Sequence, residues 1–120
     1  MMPERELLQR AARAAGIVGH YYEASDLYTA GIGYNDELDC FRMWCPLTDD
    51  GDALRLLTRL SFRELYVSEI GATVSWRRED ASGHGWKCDE YAEEHGGDLN
   101  AATRLAIVRA AAAMAPGDAG

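Results

Sequence analysis

His20 stands directly before Tyr21, Tyr22 and Glu23, so an imidazole that titrates near neutral pH has phenols and a carboxylate beside it to orient it. This is the best local set for acid–base chemistry in the chain. A nucleophile motif such as G-x-S-x-G is missing, as is a paired-histidine signature, and a solvent-facing or hydrogen-bonded structural histidine accounts for the same residues. No catalytic residue is assigned. The enzymatic alternative is a small hydrolase or nucleotide-modifying enzyme in which His20 and Glu23 converge with Asp49 or Asp52 around a cleft.

Metal chemistry has two starting points. Cys40 and Cys45 on one segment, with His84 and Cys88 on another, offer four ligand types that suit zinc, but their spacing is loose. Cys40 is expected on a strand face shared with Leu38 and Trp44, where a buried cysteine acts as a small hydrophobe. Asp49, Asp50 and Asp52 could hold a divalent ion, yet their spacing is not that of a calcium loop. Carboxylates at a helix start also accept hydrogen bonds from its free amides and meet the positive end of its dipole. No metal ligand and no cofactor is assigned.

Binding chemistry has the stronger signal. Tyr22, Tyr28, Tyr34, Trp76, Trp86 and Tyr91 fall outside the predicted helices, and tyrosine and tryptophan anchor interfaces and stack on bases. Arg77 and Arg78 follow Trp76, and Lys87 follows Trp86, so a cationic and aromatic pocket able to hold a nucleotide is expected from Trp76, Arg77, Arg78, Lys87, Tyr22 and Tyr34. The competing reading places about half of these rings in the core and the arginines in solvent.

The whole chain sets the limits on partners. Its 120 residues carry 12 Lys and Arg against 20 Asp and Glu, a net charge of -8, which disfavours non-specific binding to DNA or RNA. A local arginine pocket for a small anion remains compatible with that field. The stretch "AIVRAAAAMA" is too short to span a bilayer, and "MMPERELLQR" has charges where a signal peptide needs an apolar run. A cytoplasmic protein with three reduced cysteines and no membrane partner is expected.

The elements that must position these residues follow from periodicity. A helix is predicted over Glu4 to Ala15, opened by Pro3 and stopped by Gly16, followed by a strand within Ile17 to Glu23. The Gly and Tyr mixture up to Asp36 reads as a loop or irregular hairpin. Glu37 to Trp44 alternates as a strand covered on both faces, and Ala53, Leu56, Leu57 and Leu60 place a helix over about Asp49 to Leu60. Phe62 to Ile70 and Ala72 to Arg78 read as a hairpin around Gly71.

The polar run from Glu79 to Asp98 reads as a mobile loop containing an edge strand over Trp86 to Tyr91. Asp98 or Asn100 then caps a helix reaching about Met114, with Leu105, Val108 and Ala112 as its stripe, and "PGDAG" reads as a frayed tail. The sum is a single α+β domain: a helix/sheet/helix sandwich with a small, mainly antiparallel sheet and three main helices.

"WCPLTDDGDALRLLTRL", "DLNAATRLAIVRAAAAMA" and "ELLQRAARAAGI" resemble the small phage and prophage proteins of the phage ABA-sandwich domain family. Trp44, Pro46, Leu47, Asp49 and Asp52 match its W-N-P-L type element before a helix. Ala102, Arg104, Ala106, Ile107 and Val108 match its C-terminal helix core. The chain departs at Cys45, where the resemblance leads to an asparagine, and the segments Tyr22 to Asp36 and Glu79 to Asp98 are not shared. The resemblance implies the sandwich and a phage origin, and it implies no activity. It makes the leading expectation a non-enzymatic phage accessory protein in the host cytoplasm, a counter-defence binder that sequesters a nucleotide signal or blocks a host protein. A homo-oligomer is compatible with that role.

Overall fold

The computed structural model describes residues 2–27, 29–60, 64–77 and 85–115, without the side chains of residues 76, 77 and 86. Pro3 opens α1 (Glu4–Ala15), whose Leu7, Leu8, Ala11, Ala12 and Ala15 are buried along one face. Gly16 ends it in the left-handed conformation, φ 74°, with its N–H returned to the last turn. α2 (Asp50–Arg59) begins where Asp49 accepts the Asp52 N–H at 2.8 Å. α3 (Leu99–Ala113) begins where Asp98 accepts the Ala101 N–H at 3.0 Å. All three helices obey the capping chemistry expected of their sequences.

The strands form two antiparallel three-stranded sheets. The first joins β1 (His20–Tyr22), β2 (Gly31–Asn35) and β3 (Phe41–Trp44), with β2 in the middle. The second joins β4 (Glu64–Val67), β5 (Gly71–Arg77) and β6 (Gly85–Tyr91), with β5 in the middle, and a 3₁₀ turn at Ala92–His95 leads on to α3. The fold is thus α+β, with three α-helices and antiparallel sheets among the described residues. The hairpin around Gly71 and the edge strand over Trp86 to Tyr91 are both present.

Two strand expectations are corrected. Gly31–Asn35, expected within a loop or irregular hairpin, is a regular strand, the centre of the first sheet, and pairs antiparallel with β1. Its glycines are what the pairing requires: a Cβ on Gly31 would lie 2.6 Å from both Cys45 Sγ and the Trp44 carbonyl oxygen. A Cβ on Gly33 would lie 2.5 Å from the Tyr22 ring and 2.7 Å from the Phe41 ring, which meet edge-on above it at 5.9 Å.

The strand expected over Glu37 to Trp44 begins only at Phe41. Asp36 accepts the N–H groups of Leu38 and Cys40 at 2.9 and 3.0 Å, and Asp39 takes φ 61°, so residues 36–40 form the connection between β2 and β3. Leu38 is consequently 81% exposed, and Cys40 is an exposed thiol instead of a core residue.

α3 sits at the centre of the packing. It contacts α1, α2, β5 and β6, so burial extends from the expected stripe to Ala102, Ala106, Ile107, Val108, Ala110, Ala111 and Ala112. Alanine on the meeting faces of α1 and α3 lets the two helices approach closely. The core continues through Leu56 and Val74 to Ile32 and Trp44, which are directly paired across β2 and β3. Trp44, 5% exposed, is the packing anchor at the edge of the first sheet. Among the described residues no helix is long and apolar enough to cross a membrane. The expected tail from Pro116 lies outside the described residues.

Candidate functional site

β3 is an edge strand of its sheet, and the chain leaves it directly into α2. The angle between the two is fixed by Asp52. One carboxylate oxygen accepts the Cys45 N–H at 2.8 Å and the other accepts Arg55 Nη2 at 2.7 Å, and the side chain is only 14% exposed. From the far side, Arg104 of α3 donates to the Leu47 carbonyl at 2.8 Å and to Asp50 at 2.6 Å. The segment Trp44 to Asp52 is therefore a pinned joint, tied at both ends by charge-assisted hydrogen bonds.

This joint opens a cavity of about 580 Å³ between β3, α2 and the end of α1. Tyr34 and Trp44 contribute its rings and Arg42, Arg55 and Arg59 its cations, while the Phe41 ring packs with Tyr22 over Gly33 on the opposite sheet face. The convergence has local causes. Tyr34 and Arg42 are opposite each other in the β2–β3 register and so share a sheet face, while Arg55 and Arg59 stand one turn apart on α2. Its size suits a small-molecule ligand.

The cations keep donors in reserve. Arg42 spends Nε on Asp36 at 2.5 Å, and that bond holds the Asp36 carboxyl below its ordinary range, helped by the Cys40 and Leu38 N–H groups. Arg42 itself is held above its usual value, first by the Asp36 bond, with the Tyr34 phenol adding to the effect. Arg55 is raised likewise, first by Asp52, then with smaller help from Asp49 and Tyr34. Both remain fully cationic, and among the described residues most of the five N–H donors of each guanidinium stay unspent. Arg59 has no ion pair among the described residues; its Nη2 lies 3.4 Å from where a Cβ on Gly16 would stand, at the carbonyl end of α1.

The residues singled out from the sequence are dispersed. Tyr34 lines the cleft. Tyr22 lies on the outer face of the first sheet, against Phe41. Lys87 is on β6 of the second sheet, exposed and 3.6 Å from Asp89. The register sets Trp76 opposite Trp86 and Arg77 opposite Gly85, but the side chains of Trp76 and Arg77, and all of Arg78, lie outside the described residues. Arg42, Arg55 and Arg59 were not singled out; the spacing of Arg55 and Arg59 along one helix face was the available signal.

His20 lies on β1, the opposite edge of the first sheet from β3, and does not line the cleft. Asp49 caps α2 and Asp52 is committed to Cys45 and Arg55, so these three are not gathered around one cavity. Cys40 and Cys45 belong to the first sheet region and Cys88 to the second, while His84 is outside the described residues. Among the described residues no three His, Cys, Asp or Glu side chains are placed to hold a metal ion.

A second cavity of about 680 Å³ lies between α1, β6 and α3. Several of its polar groups are already paired. The buried Glu90 binds Arg109 through one oxygen and His95 through the other at 3.0 Å, and Asp89 accepts the Thr73 hydroxyl at 2.5 Å. Burial pushes the Cys88 thiol up, which keeps it protonated at neutral pH. The arginine cleft brings together three guanidiniums with donors left for a ligand among the described residues.

The chain matches no family model, no curated protein and no solved structure.

Proposed function

We propose that this chain is a binding protein that holds a small aromatic anion, a nucleotide by chemical class, in the cleft of Arg42, Arg55 and Arg59. One observation carries the reading: in a chain of net charge -8, three of the 12 cationic side chains meet aromatic rings in a single cavity. Such a chain repels anions in general, so a cluster of guanidiniums beside Tyr34 selects for a ligand that offers both negative charge and a ring. In biological terms we read it as a non-enzymatic phage accessory protein that sequesters a nucleotide signal in the host cytoplasm. The resemblance of Trp44 to Asp52 and of the C-terminal helix to the phage ABA-sandwich proteins supports that placement.

A titration of the ¹⁵N-labelled protein with ADP, followed by NMR, tests the site. The expected shifts fall on β3, the first turns of α2 and Gly16, and leave α3 and β6 unmoved. Shifts confined to β5 and β6, or none, would remove the cleft from the account.

A second reading, a blocker of a host protein, is favoured by Tyr66, Val67 and Ile70, which leave 63%, 45% and 69% of their surfaces in solvent around one hairpin. Replacement of all three by serine separates the two, since it abolishes binding to a protein partner and spares ADP.

A further inference from the structure

Resting on the reading above, we infer that the ligand is a nucleotide held in two parts: its phosphates by the three arginines, and a base bearing an exocyclic amino group in the groove beyond Tyr34. That groove, about 590 Å³, shares Ile17, Tyr34 and Arg59 with the cleft, so the two are continuous. Its chemistry is different. Among the described residues Arg59 is its one cation, and the remainder combines apolar side chains with acceptors.

Val18 and Leu38 line the groove with 92% and 81% of their surfaces exposed. A flat heteroaromatic ring laid between them removes apolar surface from water, which favours binding. The acceptors then decide which ring. Asp36 is occupied by Leu38 N–H, Cys40 N–H and Arg42. Asn35 gives its amide nitrogen to Asp39 at 3.0 Å, which leaves its carbonyl oxygen to accept. Glu37 has no hydrogen-bond or ion-pair partner among the described residues and offers a whole carboxylate.

Free acceptors call for donors. Adenine, guanine and cytosine present an exocyclic amino group, whereas uracil has a carbonyl oxygen in its place and offers a carboxylate only one ring N–H flanked by two acceptors. Arg59, at the junction, is placed to meet the phosphate next to the sugar. The order along the groove is therefore base between Val18 and Leu38, then Tyr34, then phosphates at Arg42 and Arg55.

Calorimetric titration with ADP, GDP, UDP and inorganic pyrophosphate tests this inference. ADP or GDP is expected to bind at least about tenfold more tightly than UDP and pyrophosphate. In an E37Q, L38S double variant, two exposed positions whose change leaves the core intact, that preference is lost while pyrophosphate affinity is unchanged. Equal binding of all four probes, or a double variant that keeps the preference, would overturn the base seat and leave the anion reading standing. Equal binding of ADP, GDP and UDP above pyrophosphate would overturn recognition of the amino group. Binding of none would overturn both readings.

Discussion

Asp52 and Arg55 stand three residues apart on α2, 2.7 Å from carboxylate oxygen to guanidinium nitrogen, and the same carboxylate holds the N–H of Cys45 at the end of β3. The pair thus sets both the joint between strand and helix and the position of a cation in the cleft. Asp52→Ala leaves the Cys45 N–H without its partner in a largely enclosed position, and a cost of about 1–3 kcal/mol is expected in urea unfolding. Asp52→Asn keeps an acceptor and is expected to recover part of that loss.

Gly31→Ala tests the central strand. The added methyl group would meet the Trp44 carbonyl and Cys45 Sγ at 2.6 Å, and the carbonyl belongs to backbone held in the sheet. A destabilisation of about 1–3 kcal/mol is expected, with the midpoint of thermal unfolding as the check. Gly51→Ala, whose methyl group would meet only Asp49 and Arg55 side chains at 3.2 and 3.3 Å, is expected to be tolerated far better.

Asp36 supplies a pH signature. Its carboxyl is held below the ordinary range, so it is ionised at neutral pH and its tie to Arg42 contributes fully above the unfolded aspartate value. That contribution disappears as pH falls through the lowered folded value. A ¹³C NMR titration of the Asp36 side chain is expected to give a midpoint below that of a free aspartate, and Arg42→Gln is expected to raise it. An unmoved midpoint would contradict the ion pair.

The three cysteines should separate by reactivity. Cys40 is exposed, Cys45 is half-buried, and Cys88 is half-buried with its thiol pushed up by burial. Alkylation with iodoacetamide at pH 8, read by peptide mass spectrometry, is expected to modify Cys40 first and Cys88 last. Raising the pH should accelerate Cys88 as its thiolate forms.

The helices were legible in the sequence because their information is local. Gly16, Asp49 and Asp98 mark the ends that the structure uses, and the apolar spacing of Ala53 and Leu56 gives the buried face of α2. β2 was not legible, since Gly31 and Gly33 read as loop residues until Trp44, Cys45, Tyr22 and Phe41 are seen filling the space beside them. The cleft was half legible. Arg55 and Arg59 share a helix face in the sequence, but their meeting with Arg42 depends on the angle that Asp52 imposes between β3 and α2, a tertiary fact.

The central claim is that three guanidiniums make this acidic chain an anion binder. Isothermal titration of ADP into the native protein and into an R42A, R55A, R59A variant measures it directly, with circular dichroism to show that the fold is kept. Saturable one-to-one binding is predicted for the native protein. Each lost charged contact is worth roughly 1.5–3 kcal/mol, so the triple variant should fall at least about a thousandfold, to no measurable binding. A native protein that does not bind, or a variant that binds as well, would contradict the account.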